Sequence, residues 1–448
     1  MKNMNIIYIH THDTGRYIEP YGHNIKTPNL MDLAKQSTLF RHCYCAGPTC
    51  SPSRAALLTG TLPHVNGMLG LAHRGFELKD YNMHLSNYLK SAGYETVLCG
   101  IQHEAPDVKM LGYEKILTVD TPVKTHGERD ILNARAAADY IKQYNNKNNN
   151  NKNFFLSFGM FGIHREFPAD TGDIRQDYIL PPHVMYDVKT NREDMAGYHA
   201  SAKIADECVG IITDALAEIE DNTVVIYTTD HGMAFPHMKC NLYDTGIGVA
   251  LMIKYPDNPT KNTANDFLVS HIDLFPTICD LCEIAKPDWL MGKSLIDILK
   301  NGDKSGEINE INEEIFAEVT YHAAYEPMRC IRTPRYKLIK RYDYHNGFVP
   351  ANTDDGNSKK FLIAAGIMSR PVEREMLFDL YLDPLERENL INDSAYLGVY
   401  NNLSARLADF MERTNDPLIK TNHRVPAPSG AKVNKLECLQ PVDYDFEG

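Results

Sequence analysis

No stretch of the 448 residues approaches the ~20 consecutive apolar residues that a membrane-spanning helix needs, so a chain crossing a bilayer is not expected. Basic runs are missing as well. The net charge is -13, and lysine and arginine are scattered, which excludes a nucleic-acid footprint. The ten cysteines lack the dense spacing of a disulfide scaffold, which fits a reducing compartment. The one close pair, Cys279 and Cys282, has no second Cys or His pair at zinc spacing. It sits in an apolar helical pattern from Leu274 onward and reads as core. A secretory leader is also not visible. Met1 to Met4 runs directly into Ile6, Ile7, Tyr8 and Ile9, which is too short for such a segment and has no small-residue cleavage site. The expectation is a cytoplasmic protein. No internal repeat is present.

What is there is an ordinary globular composition, 43% hydrophobic and 23% charged. Short apolar runs at Asn5–Thr11, Glu95–Cys99, Phe154–Met160, Thr223–Tyr227 and Val249–Ile253 alternate with helical patterns. Such alternation predicts an α/β fold with a mostly parallel central sheet covered on both faces. The Asn/Lys tract from Asn145 to Asn153 reads as a surface loop, because the alternation continues past it. After about residue 305 the pattern changes to short strands with turn breaks, followed by a helix from Leu397 to Arg413. The expected division is a catalytic α/β domain over 1–305 and a smaller subdomain over 306–448, an antiparallel sheet packed by one helix.

One stretch concentrates chemistry: Thr49-Cys50-Ser51-Pro52-Ser53-Arg54-Ala55-Ala56-Leu57-Leu58-Thr59-Gly60. Pro52 suits a first helical turn, the Ala-Leu run carries a helix, and Gly60 can end it. Unpaired N–H groups and the positive end of the helix dipole then face Cys50, and Arg54 adds a fixed charge one turn on. A soft nucleophile and an anion cradle share one spot. Other chemistry-bearing residues stand where strands end, the place at which α/β folds assemble sites. Asp13 follows the first strand, His103 follows Glu95–Cys99, His164 follows Phe154–Met160, and Asp230-His231-Gly232 follows Thr223–Tyr227. Carboxylates converging from strand ends suit a hard divalent cation. Taken singly, a strand-end Asp is more often a helix cap or turn former.

Cys-x-Pro-Ser-Arg-x-x-x-Leu-Thr-Gly resembles the hallmark of the type I sulfatases, within the alkaline phosphatase superfamily, with every specified position matched. The resemblance implies an alkaline-phosphatase-like sheet and oxidation of Cys50 to formylglycine by a sulfatase maturation enzyme. The hydrated aldehyde would then attack sulfur. It implies metal ligation by Asp13, Asp230, His231 and residue 50, with His12 standing where the family usually has aspartate. Calcium is the family expectation; the imidazoles soften the site toward manganese or magnesium. Arg54 would fix the diol, His103 would take its proton when sulfate is expelled, and His164 would protonate the leaving group. Lys239 and Arg165 would bind sulfate or substrate. The family's Gly-Lys-x-His reads Gly100-Ile101-Gln102-His103 here, so a cation is missing, and Gln102 can replace only a hydrogen bond.

Within the family, the chain looks most similar to the heparan N-sulfatases. Pro63 to Met68, Asn241-Leu242-Tyr243, Glu318-Val319-Thr320 and Thr414-Asn415-Asp416-Pro417 carry that likeness, and it makes His322 and Asp416 candidate sugar contacts. A loop histidine and a turn aspartate are their alternatives. The leading expectation is a sulfatase acting on an O- or N-sulfated sugar, a heparin-type glucosamine among them. A phosphonate or phosphate ester hydrolase of the same superfamily, and a non-catalytic anion-binding relative, are the alternatives.

Overall fold

The computed structural model describes residues 4–146, 152–217, 219–302, 310–421, 424–441 and 445–446. Most of the Asn/Lys tract and the expected division near residue 305 lie outside the described residues. An eight-stranded sheet forms the centre. Its strands are β1 (Asn5–Thr11), β2 (Thr38–Phe40), β3 (Glu95–Gly100), β4 (Lys115–Leu117), β5 (Phe154–Gly159), β6 (Thr223–Thr229), β7 (Leu251–Lys254) and β8 (Thr263–Asn265), in the order β4-β3-β5-β1-β6-β7-β2-β8. All pairings are parallel except those of β7 with β6 and β2. Thr38 to Cys45 has the apolar pattern of a single strand. It breaks after Phe40, and Cys43–Tyr44 pairs instead with Val269–Ser270 in a separate two-stranded ribbon.

The inner strands read as continuous apolar runs because both faces are covered. Ile6, Tyr8, Val224 and Ile226 enter one core, while Ile7, Ile9, Val225 and Tyr227 enter the other. The second core is closed by the long helices α3 (His126–Asn146) and α4 (Lys189–Ala215). No helix among the described residues is long and apolar enough to cross a membrane.

A second, antiparallel sheet holds β9 (Ile315–Tyr321), β10 (Tyr325–Arg332), β11 (Tyr336–Arg341) and β12 (Glu375–Asp379) in that spatial order. One face, with Ala317, Val319, Cys330 and Ile339, joins the core that contains Ile6. The other packs Ile331, Leu338 and Leu377 against Leu403, Leu407 and Met411 of α6 (Leu397–Arg413). The small sheet is thus sandwiched between the large one and a single amphipathic helix, and it brings its loops to the edge where β1 and β6 end.

The motif helix, α2 (Cys50–Thr59), is buried along its whole length. Its polar side chains therefore find partners inside the protein. Ser53 Oγ donates to the Asp230 carbonyl, and Thr59 Oγ1 donates to the Ala55 carbonyl at 2.7 Å. Gly60 ends the helix at φ 67°, and a Cβ there would lie 2.4 Å from Leu290 Cδ2, so only glycine fits.

Candidate active site

β1 and β6 are neighbours in register, Thr11 opposite Thr229, so the residues just past them meet. The Asp13 backbone N–H donates to Asp230 Oδ1 at 2.8 Å, with Asp13 at a positive φ of 38°. The His231 N–H donates to the same oxygen at 2.9 Å. The other oxygen, Asp230 Oδ2, faces His12 Nδ1 at 3.2 Å, His231 Nε2 at 3.5 Å and Arg54 Nη2 at 3.1 Å. Burial opposes charge on Asp230, but His231 and then Arg54 outweigh it and hold the carboxyl well below its usual range.

Arg54 is fixed from three sides. It contacts His10 Nδ1, donates to the Thr11 carbonyl at 3.1 Å, and pairs with Asp230. Burial, then Arg54 itself, keeps the His10 imidazole well below its ordinary pKa, so it accepts from the guanidinium. His10 went unremarked in the sequence because it looks like any polar residue inside a strand.

Lys239 brings a buried ammonium to the site. Its ammonium lies 3.1 Å from Asp13 Oδ2, 3.4 Å from His164 Nε2 and 2.9 Å from Asp354 Oδ2. Burial disfavours the charge, yet Asp13 and Asp354 hold its pKa well above the usual lysine value. Asp354 stands in a turn after the small sheet's third strand and matches no motif, so sequence reading missed it. His322 comes from the same subdomain. It is buried, its Nδ1 has no hydrogen-bond partner, and burial followed by Lys239 depresses its pKa well below normal.

His103 and His164 flank His12, with ring centroids 4.7 and 5.7 Å from it. Burial, with Arg54 next, lowers His103 to about 3, leaving a neutral imidazole whose Nδ1 has no hydrogen-bond partner. His164 contacts the Arg165 carbonyl through Nδ1 at 2.6 Å and turns Nε2 toward Asp13 Oδ2 at 3.5 Å. Burial pushes the Cys50 thiol up, only partly offset by Lys239, so a thiolate is not the resting form.

Three expectations are corrected. Arg165 is not free to bind an anion: its Nε donates to the Ala234 carbonyl, and both terminal nitrogens grip Asp194 at 2.8 and 2.7 Å. Asp416 is fully buried. It pairs with Arg329 at 2.5 and 3.0 Å and caps the helix at Pro417–Lys420, so it offers no oxygen to a sugar. Gln102 is consumed by its own turn, accepting from the N–H groups of Glu104 and Ala105 and donating to the Ala105 carbonyl.

The residues present fit a metal ion. Ligand atoms of His12, Asp13, Cys50 and Asp230 all lie within 4.8 Å of one another. Asp13 Oδ1, His231 Nε2 and both His12 nitrogens are buried without a hydrogen-bond partner. Burying that many unsatisfied polar atoms is costly unless a cation meets them.

A family model described as Sulfatase matches residues 4–284. The chain belongs to the sulfatase family. A second model, N-sulphoglucosamine sulphohydrolase, C-terminal, matches residues 231–352. Human N-sulphoglucosamine sulphohydrolase is 27% identical over 94% of this chain and 91% of its own. A solved putative sulfatase from Bacteroides fragilis shares the fold at TM-score 0.73 and 20% identity, covering 95% of this sulfatase and 98% of that chain. Another solved structure, in complex with its substrate D-glucosamine-2-N,6-O-disulfate, aligns at TM-score 0.69 and 18% identity over 93% of this chain and 99% of its own. Members of the family use a metal ion and formylglycine, and this sulfatase is a hydrolase of sulfate esters or sulfamates.

Proposed function

We propose that this sulfatase releases sulfate from a sugar, as an O-sulfate or N-sulfate of a glucosamine-type unit. One observation carries the reading. Cys50, at the mouth of a buried helix, meets buried carboxylates, several imidazoles, a guanidinium and the ammonium of Lys239 at the ends of four adjacent strands. A sulfate monoester needs a second cation beside Arg54, and Lys239 is that cation. The likeness to human N-sulphoglucosamine sulphohydrolase supports the sugar class.

Asp13, Asp230, His231 and His12 would hold the ion; when it is bound and Cys50 is converted, the site gains a Lewis acid and a hydrated-aldehyde nucleophile. We assign calcium to the site, with manganese and magnesium as competitors given the two imidazoles. The remaining work belongs to this chain's own side chains. Arg54, immobilised by His10 and the Thr11 carbonyl, offsets negative charge developing at residue 50 without having to reorganise. Lys239 and His164 hold the sulfate oxygens. With its Nδ1 anchored on the Arg165 carbonyl, His164 delivers a proton from Nε2 to the departing oxygen or nitrogen. His103, kept neutral by burial, accepts a proton from the residue-50 hydroxyl as sulfate leaves.

The test is release of inorganic sulfate against inorganic phosphate from a panel of sulfated glucosamines and phosphate or phosphonate esters. The protein is to be made with its maturation enzyme and supplied with calcium, manganese or magnesium in turn. Sulfate from the sugars supports the reading; phosphate alone overturns it.

A further inference from the structure

A cavity of about 570 Å³ opens beside His103, between the turn at 72–75 and the tail around Gly430 and Lys432. In a chain of net charge -13, no carboxylate of the described residues lines it. His73, Arg74, His103 and Lys432 do. The cleft on the other flank of the centre, about 720 Å³ and bounded by His164, is lined by Glu166, Glu193, Asp194, Asp354 and Asp355, against Arg165 and Lys360, and so carries an excess of carboxylates. The two sides of the site therefore differ in sign.

The basic side is a built feature. Arg74 donates to the carbonyl of Lys432 at 2.9 Å, to Asn434 Oδ1 at 2.8 Å and to the Pro441 carbonyl. The Lys432 N–H returns a bond to the Arg74 carbonyl at 2.8 Å. Gly75, at φ 96°, allows the approach, since a Cβ there would meet Ala431 Cα at 3.0 Å. The tail is stapled to the turn, and the exposed Lys432 is carried on it with no ion pair to any described residue. The exposed His73 ring lies 6.3 Å from that of His103.

We propose that this cavity is a subsite for a second anionic group, a sulfate or a carboxylate, borne by the same molecule as the scissile sulfate. The inference rests on the sulfated-sugar reading above. His103 belongs to both sites, so a sugar whose scissile sulfate meets Lys239 and His164 extends its next substituent, or its next ring, past His103 toward His73 and Lys432. Lys432 is a specificity residue here, outside the catalytic machinery.

The experiment compares three sugars: glucosamine carrying one sulfate, the same unit with a second sulfate, and the monosulfated unit linked to a uronate. Binding is measured by calorimetry at low salt on the Cys50→Ala protein, and sulfate release is measured on the mature enzyme. A second anion should tighten binding roughly tenfold, and added salt should erode that gain. Lys432→Ala and Lys432→Glu should abolish it while leaving kcat/KM on the monosulfated sugar within about twofold, as befits an exposed site. Whether the disulfate or the uronate shows the gain identifies the source of the anion. Equal affinity for one and two anions, a gain that survives Lys432→Glu, or binding of none of the sugars overturns the subsite. Binding discrimination without sulfate release from any sugar would sink the sulfatase reading for sugars and leave the subsite standing. Release without discrimination would do the reverse.

Discussion

Replacing Asp416 separates two roles for one carboxylate. As a sugar contact its loss would raise KM; as the structure has it, its loss lowers the stability of the fold. The carboxylate is fully buried and forks onto Arg329, whose Nε also lies 3.7 Å from Glu318, itself in contact with His64. Removing one partner of a buried pair typically costs about 3–5 kcal/mol, because a charge is left stranded. Glu318 still faces the guanidinium, so Asp416→Asn belongs at the low end, about 3 kcal/mol. Asparagine also keeps an oxygen for the Leu418 N–H, whereas Asp416→Ala loses that cap and about 1 kcal/mol more. Spread over an unfolding entropy of roughly 1 kcal/mol/K for a chain of this size, the melting temperature should fall by about 3 °C for asparagine and about 4 °C for alanine. Burial disfavours the charge, but Arg329 holds the folded pKa below the ordinary aspartate value. The stabilisation is therefore present above the unfolded pKa and is lost as pH falls through the folded one, so both variants should approach the parent in acid. Differential scanning calorimetry across pH, beside kcat and KM on a sulfated sugar, reads all of this. An unchanged melting temperature with KM raised tenfold or more would refute the reasoning and return Asp416 to the substrate.

Lys239→Met should lower kcat/KM for sulfate release by about 10²–10³, the scale of one lost charge-stabilising donor, with Lys239→Arg recovering most of it; parity between the two variants would show that a cation there is not used. Chelation should abolish sulfate release and lower the melting temperature, since Asp13, Asp230, His231 and His12 are left facing one another; titration with calcium, manganese or magnesium then ranks the ions. His84, fully buried and capping the helix at Leu85–Ser91, is pulled by burial to about 3, from an ordinary histidine value of 6.5. The unfolded chain then binds the proton first, so its stabilisation is intact above about 6.5 and declines as pH falls toward about 3. His84→Asn should flatten that acid-side slope by about one proton, or about 1.4 kcal/mol per pH unit; an unchanged slope would count against a neutral buried His84.

The motif from Thr49 to Gly60 was legible because everything it needs is local: a first-turn proline, helix formers, and a glycine at a left-handed stop. The strand ends were legible because buried parallel strands read as apolar runs and α/β folds gather chemistry at their carboxyl edge. What stayed hidden depends on partners far away in sequence. Arg165 finds Asp194, Asp416 finds Arg329 across 87 residues, and Lys239 finds Asp354, so no spacing rule announces them. Lys239 could be read as an anion contact, but that its ammonium stands beside both His164 and Asp13 depends on the fold. The break at Phe40 escaped notice because Cys43 and Tyr44 are as apolar as the strand before them, although they pair elsewhere.

We propose residue 50, converted from cysteine, as the nucleophile of sulfate release. Intact-mass analysis of the Cys50 peptide, from protein made with its maturation enzyme and assayed in parallel, tests it most directly. The peptide should be about 18 Da lighter than the cysteine form, in proportion to sulfate released, and Cys50→Ala should show no turnover. Full activity from protein whose Cys50 remains a plain thiol would contradict it.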